Sequence, residues 1–204
     1  GLGLALSGGG DDDEPPLEVP TVSLDTDTGT EGDGITTTGV FSVGNLESNA
    51  TWEFSLDGGS SWNAGQGNSF TITEDGSYSV SVRQTRDGTS FEVSAQLSIT
   101  IDTGAPIISS GASAAIDENS GISQVIYTAS SDDSAAAAES LSYSLAEGSD
   151  AALSIDPVSG AVTLDSDPNF ETQSQYSFTV VATDGAGNTG EQSVTLDIND
   201  LDEV

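Results

Sequence analysis

Short segments in which β-branched or aromatic residues alternate with polar ones recur along the chain, separated by turns rich in Gly and Asp. Successive side chains of a strand point to opposite faces, so this pattern is typical of half-buried β-strands. No long stretch repeats apolar residues at helical spacing, and Ala135–Ala138 is too short for more than one helical turn. The pattern therefore predicts an all-β chain, and the close spacing of the strands favours Greek-key β-sandwiches.

The predicted strands fall into two similar sets. In the first half they are Thr21–Leu24, Thr38–Val43, Thr51–Leu56, Ser69–Thr73, Tyr78–Gln84 and Phe91–Ile101. In the second half they are Ser113–Ile116, Ile122–Ala129, Leu141–Leu145, Leu153–Ile155, Ala161–Leu164, Tyr176–Ala182 and Gln192–Ile198. The last two strands of each half predict the closing antiparallel hairpin of an immunoglobulin-type sandwich.

The joint between the two sets lies near Asp102. An alternating strand, Ser98–Ile101, runs into Asp102, and Gly104 and Pro106 then stop regular structure. The chain on either side has a length suited to one sandwich. We therefore expect two tandem domains, 21–104 (immunoglobulin-like) and 105–204, preceded by an extended tail, 1–20.

The tail combines an apolar strand with a linker. Leu2, Leu4 and Leu6 share one face, and an acidic, Gly- and Pro-containing segment follows them. Because an isolated strand does not persist in water, these leucines either pair with a sheet or are the remnant of a signal peptide's apolar region. The linker can span up to ~45 Å, which is enough for strand donation to a neighbouring copy.

The charge balance excludes several classes of partner. The chain has 34 acidic residues and two basic ones, Arg83 and Arg86, for a net charge of −32. Such a chain repels nucleic acid and anionic lipid headgroups, and it repels itself unless cations collect on it. Many of the acids are explained by a solvated surface adapted to salt, but those at strand ends and in Asp-Gly turns lie where oxygen ligands can converge.

The missing residue types bear on chemistry and location. The chain has no Cys, His or Lys, so it lacks disulfides and the usual general bases and activated nucleophiles. Paired carboxylates act in glycosidases, but nothing distinguishes one pair here from its neighbours. We therefore expect a protein that is not an enzyme, secreted by a microbe and stiffened by metal in place of disulfides.

Calcium is the metal that this composition favours. Ca²⁺ takes six to eight oxygen ligands at ~2.3–2.6 Å, and no stretch has EF-hand spacing, so a site must be assembled from separate loops. At the joint the candidate ligands are Asp102, Asp132, Asp133 and Asp184, with Asn188 as a further candidate. Toward the opposite pole of the second domain they are Glu118, Glu171, Asp197, Asn199 and Asp200. Asp27 and Asp33 either form one more site or only make turns.

The second half resembles a cadherin-like domain. The resemblance rests on six short motifs in order: Asp117-Glu118-Asn119, Leu141–Leu145, Ile155–Val162, Phe170-Glu171, Ala182–Asp184 and Asp197–Asp200. It implies that Asp133 and Asp184 bind calcium at the preceding joint, whereas Glu118, Glu171, Asp197, Asn199 and Asp200 bind it at the joint to a following domain. The chain departs from the family's Asp-x-Asp, since it has Ser131-Asp132-Asp133.

The first half is similar to the immunoglobulin-like repeats of very large bacterial adhesins. The similarity rests on Asp27-Thr28-Gly29, Asp33–Thr36, Thr51–Trp62, Val82–Thr85 and Ile101–Pro106. It implies an extender module whose calcium at the linker holds neighbouring modules in line.

These observations predict a secreted structural protein. We expect calcium to rigidify it into a rod that assembles, head to tail with copies of itself or with adjacent modules, into an extracellular fibre or adhesin stalk on a bacterial surface. The alternative is a calcium-dependent adhesion module that binds carbohydrate or protein, with Trp62 contacting sugar. Trp52 is predicted to be a core residue, and Trp62 either a core residue or such a platform.

Overall fold

The computed structural model describes residues 15–88, 90–133 and 141–202. All regular structure in these ranges is β, as the alternation predicts, and they contain no helix. Leu2, Leu4, Leu6 and Ala135–Ala138, on which two predictions depend, lie outside the described residues.

Among the described residues, nine strands build the first sandwich. They are β1 (Thr21–Leu24), β2 (Ile35–Thr36), β3 (Gly39–Gly44), β4 (Thr51–Ser55), β5 (Asn63–Ala64), β6 (Ser69–Ile72), β7 (Gly76–Arg86), β8 (Ser90–Val93) and β9 (Leu97–Ile101). One sheet has the order β1-β3-β6 and the other β2-β9-β7-β4-β5, with β8 also paired to β7. Between them lies an apolar core in which Phe70 stacks on Phe41 and Phe54, at 4.9 and 4.3 Å between ring centroids. Trp52 is 8% exposed and belongs to this core, which confirms its prediction.

The part of the second sandwich that the structure describes contains nine further strands. They are β10 (Ile107–Ile108), β11 (Ser113–Asp117), β12 (Gln124–Thr128), β13 (Ser131–Asp132), β14 (Ser142–Leu145), β15 (Leu153–Ile155), β16 (Ala161–Leu164), β17 (Gln175–Thr183) and β18 (Thr189–Asn199). The sheets have the orders β11-β18-β17-β14 and β12-β16-β15, and β10 pairs with β13. A second, separate core packs Val162, Leu164, Phe178, Val180 and Leu196 between them.

The closing hairpin is present in both halves, but it differs between them. β17 and β18 pair without interruption from Gln175↔Asp197 to Thr183↔Thr189. In the first half the predicted strand Phe91–Ile101 is wrong as a single strand, because it divides into β8 and β9, which pair with different parts of β7.

A bulge at Ser94 causes this division. The Ser94 amide donates to the Val82 carbonyl at 2.8 Å, and the Val82 amide donates to the Ser94 hydroxyl at 3.0 Å. The serine side chain thus takes the place of a backbone acceptor and shifts the register by one residue. The alternation of residues around Ser94 does not predict this bulge, because a single hydrogen bond from a side chain to a neighbouring strand leaves no periodic signal in the sequence.

The end of the predicted tail is packed against the first sandwich. Leu17 is 8% exposed, and the guanidinium of the buried Arg86 donates to the Pro15 carbonyl at 2.6 Å and to the Glu47 carboxylate at 2.8 Å. The Gln84 side chain, fully buried, donates to the Glu18 carbonyl at 2.6 Å. These contacts hold residues 15–18 at the pole opposite the joint.

Candidate metal centre

Three acidic residues from separate elements meet at the joint. Asp102 follows β9 of the first sandwich, Asp133 follows β13, and Asp184 begins the turn between β17 and β18. One carboxylate oxygen of each lies within 4.8 Å of those of the other two. They converge because each residue ends a strand at the same pole, as the sequence analysis expects for Asp102, Asp133 and Asp184.

Asp102 is the most constrained of the three. It is fully buried; its Oδ1 accepts the Gly104 amide at 2.8 Å, whereas its Oδ2 is buried with no hydrogen-bond partner among the described residues. Burial raises the pKa of this carboxyl, and the charges of Asp133, Asp184 and Asp75 raise it further. A buried carboxylate oxygen without a donor is costly unless a cation compensates it.

Asn188 connects the two sandwiches beside this group. Its side-chain amide donates to Asp184 Oδ2 at 2.9 Å and to the Asp102 carbonyl at 3.1 Å, and its backbone amide donates to Asp184 Oδ1 at 2.8 Å. Asp184 is therefore oriented, and the joint offers converging hard oxygens of the type that Ca²⁺ prefers. The residues present fit a calcium ion.

Asp132 lies outside this group. It is exposed, pairs with Ile107 in the β10–β13 ladder, and is not among the acids whose oxygens converge. Neighbouring residues of an extended segment point to opposite sides, so only one of Asp132 and Asp133 faces the joint. The departure from Asp-x-Asp thus leaves a single Asp contributed by this strand.

The opposite pole carries a second acidic group. Glu118, Glu171 and Asp200 bring carboxylate oxygens within 4.8 Å of one another. Glu118 is 1% exposed; its Oε1 accepts the Leu201 amide at 2.7 Å and its Oε2 accepts the Phe170 amide at 3.0 Å. These backbone donors, first Leu201 and then Phe170, lower the pKa of Glu118.

Asp197 and Asn199 point elsewhere at this pole. Both are exposed. Asp197 accepts from the Gln175 side chain at 2.8 Å, and the Asn199 side chain donates to Asp117 at 2.8 Å. Asp197 is not among the converging acids, so the structure does not bring together all the carboxylates that are predicted for this site.

Asp27 and Asp33 act as turn formers. Asp27 Oδ2 accepts the amides of Gly32 and Gly34 at 2.8 and 3.1 Å, and Asp33 Oδ1 accepts the Ile35 amide at 2.8 Å. Within the described residues, no group of three converging acids includes either one. These hydrogen bonds support the turn interpretation of both residues. Asp27 Oδ1, however, is buried with no hydrogen-bond partner among the described residues, so a metal site there stays a prediction.

Trp62 is half-buried and lies outside the core of the first sandwich, so its prediction as a core residue is wrong. It follows a turn in which Asp57 accepts the hydroxyl and the amide of Ser61, which helps to lower the pKa of Asp57 to about 2. The Arg83 guanidinium lies over the indole ring at 4.1 Å from its centroid. One ring face is therefore covered and not available for sugar stacking.

Sequence reasoning missed one contact at the joint. Thr28 and Gly29 of the first sandwich lie against the turn 185–187 of the second. Asp27-Thr28-Gly29 has the composition of an ordinary turn. Thr28 and Ala186 are 158 residues apart in the sequence, and no local pattern connects them. The signal lies only in the three-dimensional arrangement.

Residues 112–199 match the sequence profile of the cadherin domain family. They form a cadherin-like module. Cadherin domains are extracellular adhesion-type domains and generally bind calcium, and the fold is not an enzyme fold. The similarity of the first sandwich to adhesin repeats stays a prediction. No characterised protein sequence matches the chain significantly.

Solved cadherin fragments resemble the chain at low identity. They include a cis-dimer structure of protocadherin gammaB7 EC3-6 (17% identity, 89% of this chain and 50% of that chain, TM-score 0.46). Others are human CDH23 EC21-23 (15%, 78% and 62%, 0.44) and mouse cadherin-23 EC22-24 (17%, 90% and 67%, 0.45). The chain spans about half the length of the protocadherin fragments it matches. Among the described residues, no helix has the length and apolarity needed to cross a membrane.

Proposed function

We propose that the chain is a calcium-rigidified segment of an extracellular fibre or adhesin stalk, secreted by a bacterium. The observation that carries the proposal is the convergence of Asp102 from one sandwich with Asp133 and Asp184 from the next, with carboxylate oxygens within 4.8 Å. A site shared in this way links metal binding to the relative orientation of two domains, which is the property that a stalk requires.

The mechanism is electrostatic. A bound calcium ion would supply positive charge and coordination to the carboxylates. Without a cation, Asp102, Asp133 and Asp184 repel one another, and the buried Oδ2 of Asp102 has no donor among the described residues. Separation of the sandwiches relieves both penalties, so repulsion favours an open or variable joint. Asn188 keeps Asp184 oriented toward Asp102.

Calorimetric scans with Ca²⁺ and with EDTA test the calcium proposal. Extracellular modules bind at ~10⁻⁴–10⁻³ M, so a concentration near 100 times Kd stabilises the folded state by about 2.7 kcal/mol. For domains of this size we expect Tm to rise by roughly 10–20 °C. Identical scans with and without Ca²⁺ would refute the proposal.

The matched pair Asp133→Asn and Asp132→Asn locates the ion. Both variants remove one negative charge from neighbouring residues, but only Asp133 belongs to the converging group. We expect Asp133→Asn to lose most of the Ca²⁺-dependent rise in Tm and Asp132→Asn to keep it. Equal loss in both variants would mean that the site depends on general charge and not on this geometry.

Assembly into a fibre is the finer part of the proposal. Edge strands such as β12, which pairs only with β16 within the described chain, provide open backbone groups for an added strand. The apolar segment with Leu2, Leu4 and Leu6 is the donor we propose. Deletion of residues 1–7 tests this by light scattering: a loss of polymer with an unchanged Tm supports donation, whereas an unchanged mass rejects it.

A further inference from the structure

The loop between β1 and β2 touches the turn that carries Asp184. The Thr28 hydroxyl donates to the Ala186 carbonyl at 2.7 Å, and the Thr30 amide donates to the Gly185 carbonyl at 3.4 Å. Ala186 is fully buried. The loop contributes no carboxylate to these contacts, so this interface between the sandwiches is separate from the group of acids.

Two glycines allow the backbones to approach. A Cβ added to Gly29 would lie 2.1 Å from the Gly185 carbonyl oxygen and 2.7 Å from the Ala186 carbonyl carbon, which no side chain can tolerate. A Cβ added to Gly187 would lie 3.1 Å from the backbone of Gly29. Only glycine at position 29 lets the loop dock on the turn without displacing it.

The same loop is rigidly connected to Asp102. The fully buried Thr36 accepts the Thr28 amide through its hydroxyl at 3.2 Å, and its own carbonyl accepts the Asp102 amide at 2.9 Å. Movement of Thr28 relative to Asp102 would therefore break bonds around a buried residue. Thr28 and Asp102 therefore keep a fixed relative position within the first sandwich.

The turn on the second sandwich is closed in a similar way. The Asp184 amide donates to the Asn188 carbonyl at 3.1 Å, and the Asn188 amide returns to Asp184 Oδ1 at 2.8 Å. The carbonyls of Gly185 and Ala186, which accept from the loop, belong to this closed turn. The position of the loop on the turn consequently sets the separation of Asp102 and Asp184.

We propose that Thr28, Gly29 and Gly187 form a metal-independent latch that positions Asp184 opposite Asp102. The inference deepens the proposed function and rests on it for the identity of the ion. The latch favours the closed joint before an ion arrives and opposes the repulsion between the carboxylates. Loss of the latch lowers the fraction of molecules that can bind, so the apparent Kd for Ca²⁺ rises in proportion.

Gly29→Ala and Gly32→Ala provide the matched test. Both residues lie in the same loop with positive φ, +71° and +89°, so both variants carry similar backbone strain. An added Cβ at Gly32 meets nothing within 4 Å, whereas at Gly29 it meets the second sandwich. Any difference between the variants therefore reports the contact between the sandwiches.

The measurement is the distance distribution between spin labels on Val93→Cys and Val158→Cys, one per sandwich. Both sites are exposed, at 40% and 83%, and the chain has no other Cys. In EDTA we expect Gly29→Ala to broaden the distribution, while Gly32→Ala matches the parent. We also expect Gly29→Ala to raise the apparent Kd for Ca²⁺ about tenfold. Identical results for the two variants would overturn the latch.

A second pair covers the case in which Gly29→Ala does not fold. Thr28→Val removes the hydroxyl bonded to Ala186, and Thr28→Ser restores it. Broadening in the first variant and rescue in the second support the latch; parental behaviour of Thr28→Val overturns it. If the parent protein does not respond to Ca²⁺, only the calcium proposal is refuted. The distances between the spin labels in EDTA still decide whether the latch exists.

Discussion

The two acidic groups at the poles of the second sandwich each consist of three carboxylates, but the pKa of the buried carboxyl is raised in one group and lowered in the other. At the joint, Asp102 has a buried oxygen with no donor among the described residues and a raised pKa. At the far pole, both oxygens of Glu118 accept backbone amides and its pKa is lowered. They stand at the two ends of β18, whose 11 residues span roughly 34 Å.

This difference in pKa arises because the acids at the far pole belong to one sandwich, whereas those at the joint come from two. The acids at the far pole all belong to one sandwich, whose own backbone amides compensate the buried carboxylate. At the joint one acid, Asp102, comes from the other sandwich, and its Oδ2 is buried with no hydrogen-bond donor among the described residues. We therefore expect a cation to stabilise the joint more than the far pole, where the buried carboxylate already accepts two backbone amides.

The largest expected effect comes from Asp102→Asn. Asparagine keeps the oxygen that accepts the Gly104 amide and removes the buried charge. We expect Tm in EDTA to rise by several degrees, because repulsion and desolvation are relieved, and the gain of roughly 10–20 °C in Ca²⁺ to disappear. Calorimetry in both media measures this.

Glu191→Gln is the control for Asp102→Asn. Glu191 is an exposed residue of β18, and the variant removes the same charge without touching either group. Its Tm should follow the parent in both media. A lower Tm of Asp102→Asn in EDTA would show that the carboxylate is compensated in the absence of metal, contrary to the comparison.

Glu118→Gln should have the opposite sign in EDTA. The amide side chain can accept only one of the two backbone hydrogen bonds, and it places an NH₂ group against the remaining N–H donor. We expect Tm in EDTA to fall by several degrees. If Tm rises instead, the far pole is repulsive like the joint and the contrast between the poles fails.

The pH dependence in EDTA separates the two groups further. The folded-state pKa of Asp102 is raised, so its destabilisation is present above that pKa and is lost as pH falls toward 3.8, the ordinary value. The Tm difference between the parent and Asp102→Asn should therefore shrink on acidification. Calorimetry in EDTA at stepped pH values provides the measurement.

Glu118 should respond at lower pH. Its pKa is lowered, so its stabilisation is fully present above the ordinary value of 4.5 and is lost as pH falls through the folded-state pKa. The Tm difference between the parent and Glu118→Gln should stay constant from neutral pH to about 4.5 and then decrease. Parallel pH profiles for the two pairs of proteins would contradict the opposite pKa shifts.

The smallest expected effect concerns calcium at the far pole. The acids of this group come from a single sandwich, and the buried one already accepts two backbone amides. We therefore expect calorimetric titration to show a second step about tenfold weaker than the one at the joint. Asp200→Asn should remove this step, and Asp197→Asn should retain it, since only Asp200 belongs to the converging group. Loss of the step in both variants would restore Asp197 as a ligand.

Much of the architecture could be predicted from local pattern. Strands such as Leu153–Ile155 and Ala161–Leu164 have the predicted bounds, because the alternation of buried and exposed residues is a property of each segment alone. The bulge at Ser94 and the short strands β2, β5, β10 and β13 could not be found in this way. They depend on pairing with distant residues and contain too few residues to show a period.

The sequence by itself determined an all-β chain and the placement of acids at strand ends, and it predicts the boundary between 21–104 and 105–204. Only the tertiary structure decided that Asp133 and not Asp132 faces Asp102, that Asp200 and not Asp197 joins Glu118, and that Gly29 docks on the turn after Asp184. The physical reason is that strand periodicity is encoded within each segment. The distance between loops of different sandwiches results from the packing of everything between them.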